Sequence, residues 1–165
     1  MRRSFALIRP LTVRLPNHLG DACMALPTLD LLAHEGFELR LAGRAWAASL
    51  FNAYAWPCIA LHGSTPEKID ALRAARGSEG NAALLLTNSF STAFEFRLAG
   101  YSSVGYARGG RSWLLQRAVA VEPRDHMVEY YYRLARSLVP HSPPVPGELR
   151  LRISDAAAEL SLIHI

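Results

Sequence analysis

The chain is poor in lysine, in cysteine and in long apolar runs, and each shortage narrows what it can be. Lys68 is the only lysine, so the formal charge of +4 is carried almost wholly by arginine. Arginine's planar fork suits phosphate and carboxylate, and a moderate positive excess suits an acidic ligand or an anionic membrane surface. The arginines are scattered and come with no recognised nucleic-acid-binding motif, which argues against nucleic acid. The two cysteines, Cys23 and Cys58, are far apart in apolar surroundings. They read as buried thiols, not as a disulfide or a metal pair. No continuous apolar run is long enough to span a bilayer. Arg2 and Arg3 open the chain, but Arg9 and Pro10 cut the first apolar stretch short. No secretory signal is read there, and a cytoplasmic protein is expected.

What is present is a hydrophobic half of 165 residues, enough for one domain with a substantial core. Strand and helix patterns alternate. Strands are expected at 11–15, 37–41, 58–61, 82–86 and 103–106, with helices at 21–34, 44–51, 66–76 and 91–99 between them. Ser64 and Thr65 ahead of Pro66 make a good helix start, and Gly77 and Gly100 are placed to end helices. Strands separated by helices of this length imply parallel pairing, an α/β fold with a Rossmann-like sheet and helices on both faces. A further helix is expected at 126–138. After it, four prolines crowd into 140–147, which reads as a semi-rigid linker. Residues 148–153 alternate like a new strand, and Ser154 and Asp155 could cap a new helix. The expected organisation is therefore a first domain over 1–139, a linker at 140–147, the start of a truncated second domain at 148–159, and a non-native tail at 160–165.

Three constellations could carry chemistry. In the first, the strand ending at Leu15 runs through Pro16, Asn17, His18 and Gly20 into a helix at Asp21. In an open parallel sheet the crevice at the strand's carboxyl end is where ligands bind. A carboxylate there can take a proton from an attacking hydroxyl, or can simply cap the helix. Gly20 is expected to serve the turn and to let a ligand come close to the backbone, and His18 could touch that ligand. In the second, Thr87, Asn88, Ser89 and Ser91 close a buried strand at the same edge. They could bind hydroxyls or phosphate, or serve only turn and capping chemistry. In the third, Gly105 to Ser112 is a glycine-rich loop whose Arg108 and Arg111 could clamp an anion. His126 and Glu129 share a helical face, but no further ligands accompany them, so capping and packing are expected there and not a metal site.

Taken in order, the segment from Pro16 to Pro27, Thr87 to Ser91, Val104 to Tyr106 with the arginines that follow, and His126 to Tyr131 resemble glycosyltransferase family 9. The resemblance is to the N-terminal domain of the ADP-heptose:lipopolysaccharide heptosyltransferases, heptosyltransferase II type, over roughly residues 11–150. It implies a GT-B architecture of two Rossmann-like domains facing across a cleft. The N-terminal domain would receive a lipid-linked inner-core acceptor, and the C-terminal domain would bind ADP-heptose. It also implies that Asp21 is the catalytic base of an inverting transfer that needs no cofactor and no metal. His18, Gly20, Asn88, Ser89, Ser91, Arg108 and Arg111 are then the candidate substrate-binding residues.

The resemblance further implies that the donor contacts lie in the second domain, so the chain alone is expected to be inactive and to bind ADP weakly. Peripheral contact at the cytoplasmic face of the inner membrane is expected, helped by Arg2, Arg3 and Arg9. Two alternatives stay open: a family member that transfers a different sugar, and a non-catalytic α/β module that binds an anionic ligand.

Overall fold

Apolar residues alternate along the first strand, and that alternation decides the architecture. In a computed structural model, which describes residues 9–76, 80–122 and 126–152, Leu11, Val13 and Leu15 face one hydrophobic cluster while Thr12 and Arg14 face the other way. Both faces of the sheet are therefore covered, as a parallel sheet requires. The elements are β1 (Arg9–Arg14), α1 (Leu19–Met24), α2 (Leu26–His34), β2 (Phe37–Gly43), α3 (Trp46–Leu50), β3 (Cys58–Ala60), α4 (Thr65–Arg76), β4 (Ala82–Leu85), α5 (Phe90–Leu98), β5 (Ser102–Tyr106), β6 (Arg117–Val119) and α6 (Met127–Leu138). The sheet runs β3-β2-β1-β4-β5-β6, and every pairing is parallel. This is the expected α/β, Rossmann-like layer.

Helices α1, α2, α3 and α6 bury their apolar residues on one face, around Leu11, Val13, Leu84 and Tyr106. Helices α4 and α5 cover the other, around Ala42, Ala83 and Leu85. Local chemistry sets the boundaries. Glu67 accepts hydrogen bonds from the Ser64 backbone N–H at 2.6 Å and the Ser64 hydroxyl at 2.7 Å, half of a capping box ahead of α4. At the far end of α4, the Arg40 guanidinium donates to the carbonyl oxygens of Ala75 and Arg76. Gly100 ends α5 with φ of 86°. There the Tyr101 N–H reaches Phe96 O at 3.0 Å and the Gly100 N–H reaches Arg97 O at 3.1 Å, the paired bonds of a Schellman motif.

Several expectations are corrected. The single helix expected at 21–34 is two, α1 and α2, broken at Ala25. Pro27 has no N–H to donate back into the first helix. Helix α1 also begins two residues earlier than expected, at Leu19. The segment before α6 holds a short 3-10 helix, Ser112–Leu114, and the edge strand β6, both too short to show a period. Residues 148–152 are not in a strand; alternation alone supplies no pairing partner. Cys23 and Cys58 are free thiols, half-buried instead of buried.

The proline-rich stretch is irregular, as expected, but it is docked. Pro143 O accepts from the Tyr132 hydroxyl at 3.1 Å and from Arg136 at 3.2 Å. Further on, the Arg152 N–H reaches the Tyr54 hydroxyl at 3.0 Å. Gly77, Ile153, Ser154, Asp155, the tail 160–165 and the first eight residues lie outside the described residues.

Gly100→Ala should lower the unfolding free energy by about 1–2 kcal/mol, because an L side chain is disfavoured in left-handed backbone. The shift is read from the urea midpoint at unchanged slope.

Candidate functional site

Strand order reverses between β1 and β4, and a reversal of this kind makes a crevice at the carboxyl ends of a parallel sheet. A cleft of about 630 Å³ lies there, lined by Arg14, Asn17, Arg44, His62, Lys68, Ser89, Ser91 and Glu95, among others. Arg14 is the last residue of β1 and is buried on the side away from Val13. Its guanidinium donates to Leu15 O and, at 2.8 Å, to Asn17 Oδ1. Burial pushes its pKa down to about 10, with Glu95 opposing that fall and Arg44 adding to it. It remains a cation at neutral pH.

Glu95 is buried on α5, accepts from the Thr65 hydroxyl at 3.3 Å, and pairs with Lys68 Nζ at 3.5 Å. Arg14, Arg44 and Lys68 therefore outweigh one carboxylate, and the cleft is positive. Arg14 Nε and the hydroxyl of Thr87, two residues after β4, are buried with no hydrogen-bond partner among the described residues. Buried polar atoms of this kind call for a partner from outside the chain, water or ligand.

Asp21 stands in the first turn of α1 and is half-buried. It is not the helix cap: that position belongs to His18, which is extended, exposed and makes no capping bond through its side chain. The Asp21 carboxylate faces Tyr131 of α6. Burial raises the Tyr131 phenol above its ordinary range, and the Asp21 charge and Tyr130 raise it further. Tyr131 thus stays a neutral neighbour of the carboxylate. Gly20 has no left-handed backbone, and a side chain added to it would meet nothing within 4 Å. The turn does not need glycine; what glycine leaves is open space beside Asp21.

The turn after β4 divides its residues between two places. Asn88 Nδ2 donates to the Tyr130 hydroxyl at 2.8 Å. Asn88 and Asp21 are thereby joined through successive residues of α6. Ser89 and Ser91 line the positive cleft instead. The cap of α5 is Ser89, whose Oγ accepts the Thr92 N–H at 3.3 Å, so the helix begins one residue earlier than its expected start at 91.

The two loop arginines do not form a pair. Arg108 is exposed, whereas Arg111 is completely buried. Gly109 and Gly110, with φ of 66° and 68°, turn the chain back so that the Arg111 guanidinium lies beneath its own loop. Its Nε donates to Tyr106 O at 3.2 Å, and its terminal nitrogens donate to Ser89 O at 3.3 Å and Asn88 Oδ1 at 3.4 Å. With those acceptors taken up, Arg111 braces the loops and does not clamp a ligand from the surface. His126 caps α6, its Nδ1 accepting the Val128 N–H at 3.3 Å. Among the described residues no group of three His, Cys, Asp or Glu side chains could hold a metal ion.

Sequence reasoning passed over Arg14, Lys68, Glu95 and the Tyr130–Tyr131 pair. The signals were there: Arg14 is the one charge between Leu11 and Leu15, and Glu95 lies between Phe94 and Phe96. Arg111→Ala should cost at least about 2 kcal/mol of stability, since three acceptors lose a charged donor. Arg108→Ala should stay within about 0.5 kcal/mol of the parent. Chemical denaturation of the two variants separates brace from surface arginine.

No protein-family profile matches the chain, and no curated protein is similar to it in sequence. Solved structures are similar in fold. The E. coli ADP-heptose LPS heptosyltransferase II superposes with a TM-score of 0.74 at 22% identity, over 94% of this chain and 50% of that one. The E. coli heptosyltransferase WaaC with ADP gives 0.72 at 19% identity, over 86% and 51%. A family 9 glycosyltransferase from Veillonella parvula DSM 2008 gives 0.74 at 14% identity, over 94% and 50%. This chain spans about half the length of each, and its fold is that of the N-terminal domain of a GT-B heptosyltransferase.

Proposed function

We propose that the chain is the acceptor-side part of an inverting, heptosyltransferase-like glycosyltransferase that moves heptose from ADP-heptose to a lipid-linked lipopolysaccharide inner core. One observation carries the reading. On a fold matched to these enzymes over most of this chain's length, a carboxylate that caps no helix, Asp21, stands in the first helical turn after the strand whose last residue, Arg14, lines a positive cleft.

The chemistry asked of these residues is modest. Asp21, ionised, accepts the proton of the acceptor's attacking hydroxyl as that oxygen bonds to the anomeric carbon. The bond from that carbon to the diphosphate breaks on the opposite face, and ADP leaves with the electron pair. Gly20 lets the acceptor approach α1 without a side chain in the way. Ser89 and Ser91, with Arg14, Arg44 and Lys68, offer hydroxyls and positive charge for the acceptor's polar groups. His18 and Arg108, both exposed, are the outer contacts in this reading. Asn88 and Arg111 act from behind, holding the edge in shape. Donor contacts fall to a second domain, and the chain alone binds ADP weakly and transfers nothing. Tight ADP binding to this chain in calorimetry would contradict that division. Contact with the membrane is peripheral, in keeping with a lipid-linked acceptor.

In the two-domain protein, Asp21→Ala should lower turnover by about 10²–10⁴-fold while ADP-heptose still binds. Turnover near that of the parent removes Asp21 from the mechanism. Gly20→Ala is the companion measurement. It should raise stability by about 0.5–1 kcal/mol, as glycine-to-alanine does within a helix, yet raise the KM for acceptor. A variant more stable and equally active would place the acceptor elsewhere.

A further inference from the structure

Phe90, Phe94 and Leu98 follow at four-residue spacing along α5, so they share one stripe of the helix, and all three are exposed. Trp113, in the 3-10 helix, is 72% exposed. The Phe90 ring lies 6.1 Å from that of Trp113 and 6.4 Å from that of Phe94. These side chains form one contiguous patch, which marks an interaction surface in a way that scattered apolar residues do not.

Charge around the patch selects the partner. From residue 88 to residue 121 the only carboxylate is Glu95, which is buried and paired with Lys68. Over the same stretch Arg97 and Arg108 are exposed. Arg97 belongs to the turn of α5 that carries Phe94 and Leu98. The loop of Arg108 runs past the turn that leads into Phe90: a side chain at Gly109 would lie 3.5 Å from Asn88 O. A second copy of the chain docked through the same face would have to set this cationic surface against another of the same sign. Aromatic rings edged by arginine, where the exposed acid beside Leu98, Asp70, is already paired with Arg73, suit the headgroup layer of an anionic bilayer. There the rings enter the interface and the cations meet phosphates.

We propose that Phe90, Phe94, Leu98 and Trp113, flanked by Arg97 and Arg108, form a docking surface for an anionic lipid bilayer. The inference rests on this surface alone and does not require sugar transfer. Its position has a consequence for the cleft: Ser91, one residue from Phe90, lines it, so a docked bilayer lies at the cleft's rim.

The test is co-sedimentation of the full chain with vesicles of phosphatidylcholine and phosphatidylglycerol, against vesicles of phosphatidylcholine alone. The chain should sediment with the anionic vesicles, and brominated acyl chains should quench its tryptophan emission. Trp113→Ser should remove that quenching, and Phe90→Ser combined with it should remove sedimentation, both with an unchanged circular dichroism spectrum. Arg97→Gln and Arg108→Gln should each weaken anionic-vesicle binding about fivefold. The proposal is overturned if the parent chain does not sediment, or if the Phe90/Trp113 double variant sediments as well as the parent. Lipid-free self-association that the double variant abolishes would also overturn it, by giving the patch to a second copy. None of these readings involves transferase activity, so failure here removes the membrane contact and leaves the sugar transfer to its own assays.

Discussion

The carboxyl edge of the sheet is held by one buried guanidinium. Arg111 has no exposed surface, and taking a cation out of water is costly unless its donors are matched. Here they are matched by Tyr106 O, Ser89 O and Asn88 Oδ1. Those acceptors come from the end of β5 and from the turn after β4, so a single side chain fixes the relative height of two neighbouring loops. The arrangement works only because Gly105 leaves room: a side chain there would lie 3.1 Å from the guanidinium. It also needs the consecutive left-handed glycines, Gly109 and Gly110, to fold the loop over it.

From that brace the remaining geometry follows by contact. Asn88, held by Arg111 through its oxygen, passes its amide nitrogen to the Tyr130 hydroxyl. The Tyr130 ring lies 4.1 Å from that of Tyr106, whose hydroxyl in turn donates to Tyr130 O at 2.5 Å. Helix α6 is thereby pinned to the end of β5, and its next residue, Tyr131, faces Asp21. The break at Ala25 ends α1 after six residues, with Asp21 in its first turn, while α2 packs along the sheet through Leu29 and Leu32.

Much of the fold was legible because period and punctuation agree. The first strand's alternation, the Ser64–Glu67 start and the Gly100 stop each reported a local physical need, and each is met by the element found there. What stayed hidden was non-local. Nothing near Arg111 says that it turns inward, since its acceptors lie 5 to 23 positions away along the chain. The positive cleft is hidden for the same reason: Arg14, Lys68 and Glu95 meet only once β1, α4 and α5 are assembled. Asp21 could be read as a helix cap until His18 was found in the capping position. β6 and the 3-10 helix are three residues each, too short for any period to register.

The edge thus separates two electrostatic tasks. On the α4–α5 face, Arg14, Arg44 and Lys68 concentrate positive charge around Glu95, which suits holding an anion. On the α6 face, Asp21 keeps company with the Tyr131 phenol, whose ionisation burial suppresses, so that neighbour is neutral. In the chain, the Leu15–His18 connection runs between the cleft residue Arg14 and Asp21. Arg14, tied to Leu15 O and Asn17 Oδ1, is the cation nearest to that connection, and its hydrogen bonds hold it on the cleft side. The β1–α1 connection therefore leads from the cationic cleft to the Asp21 carboxylate, two regions of opposite charge on one edge of the sheet.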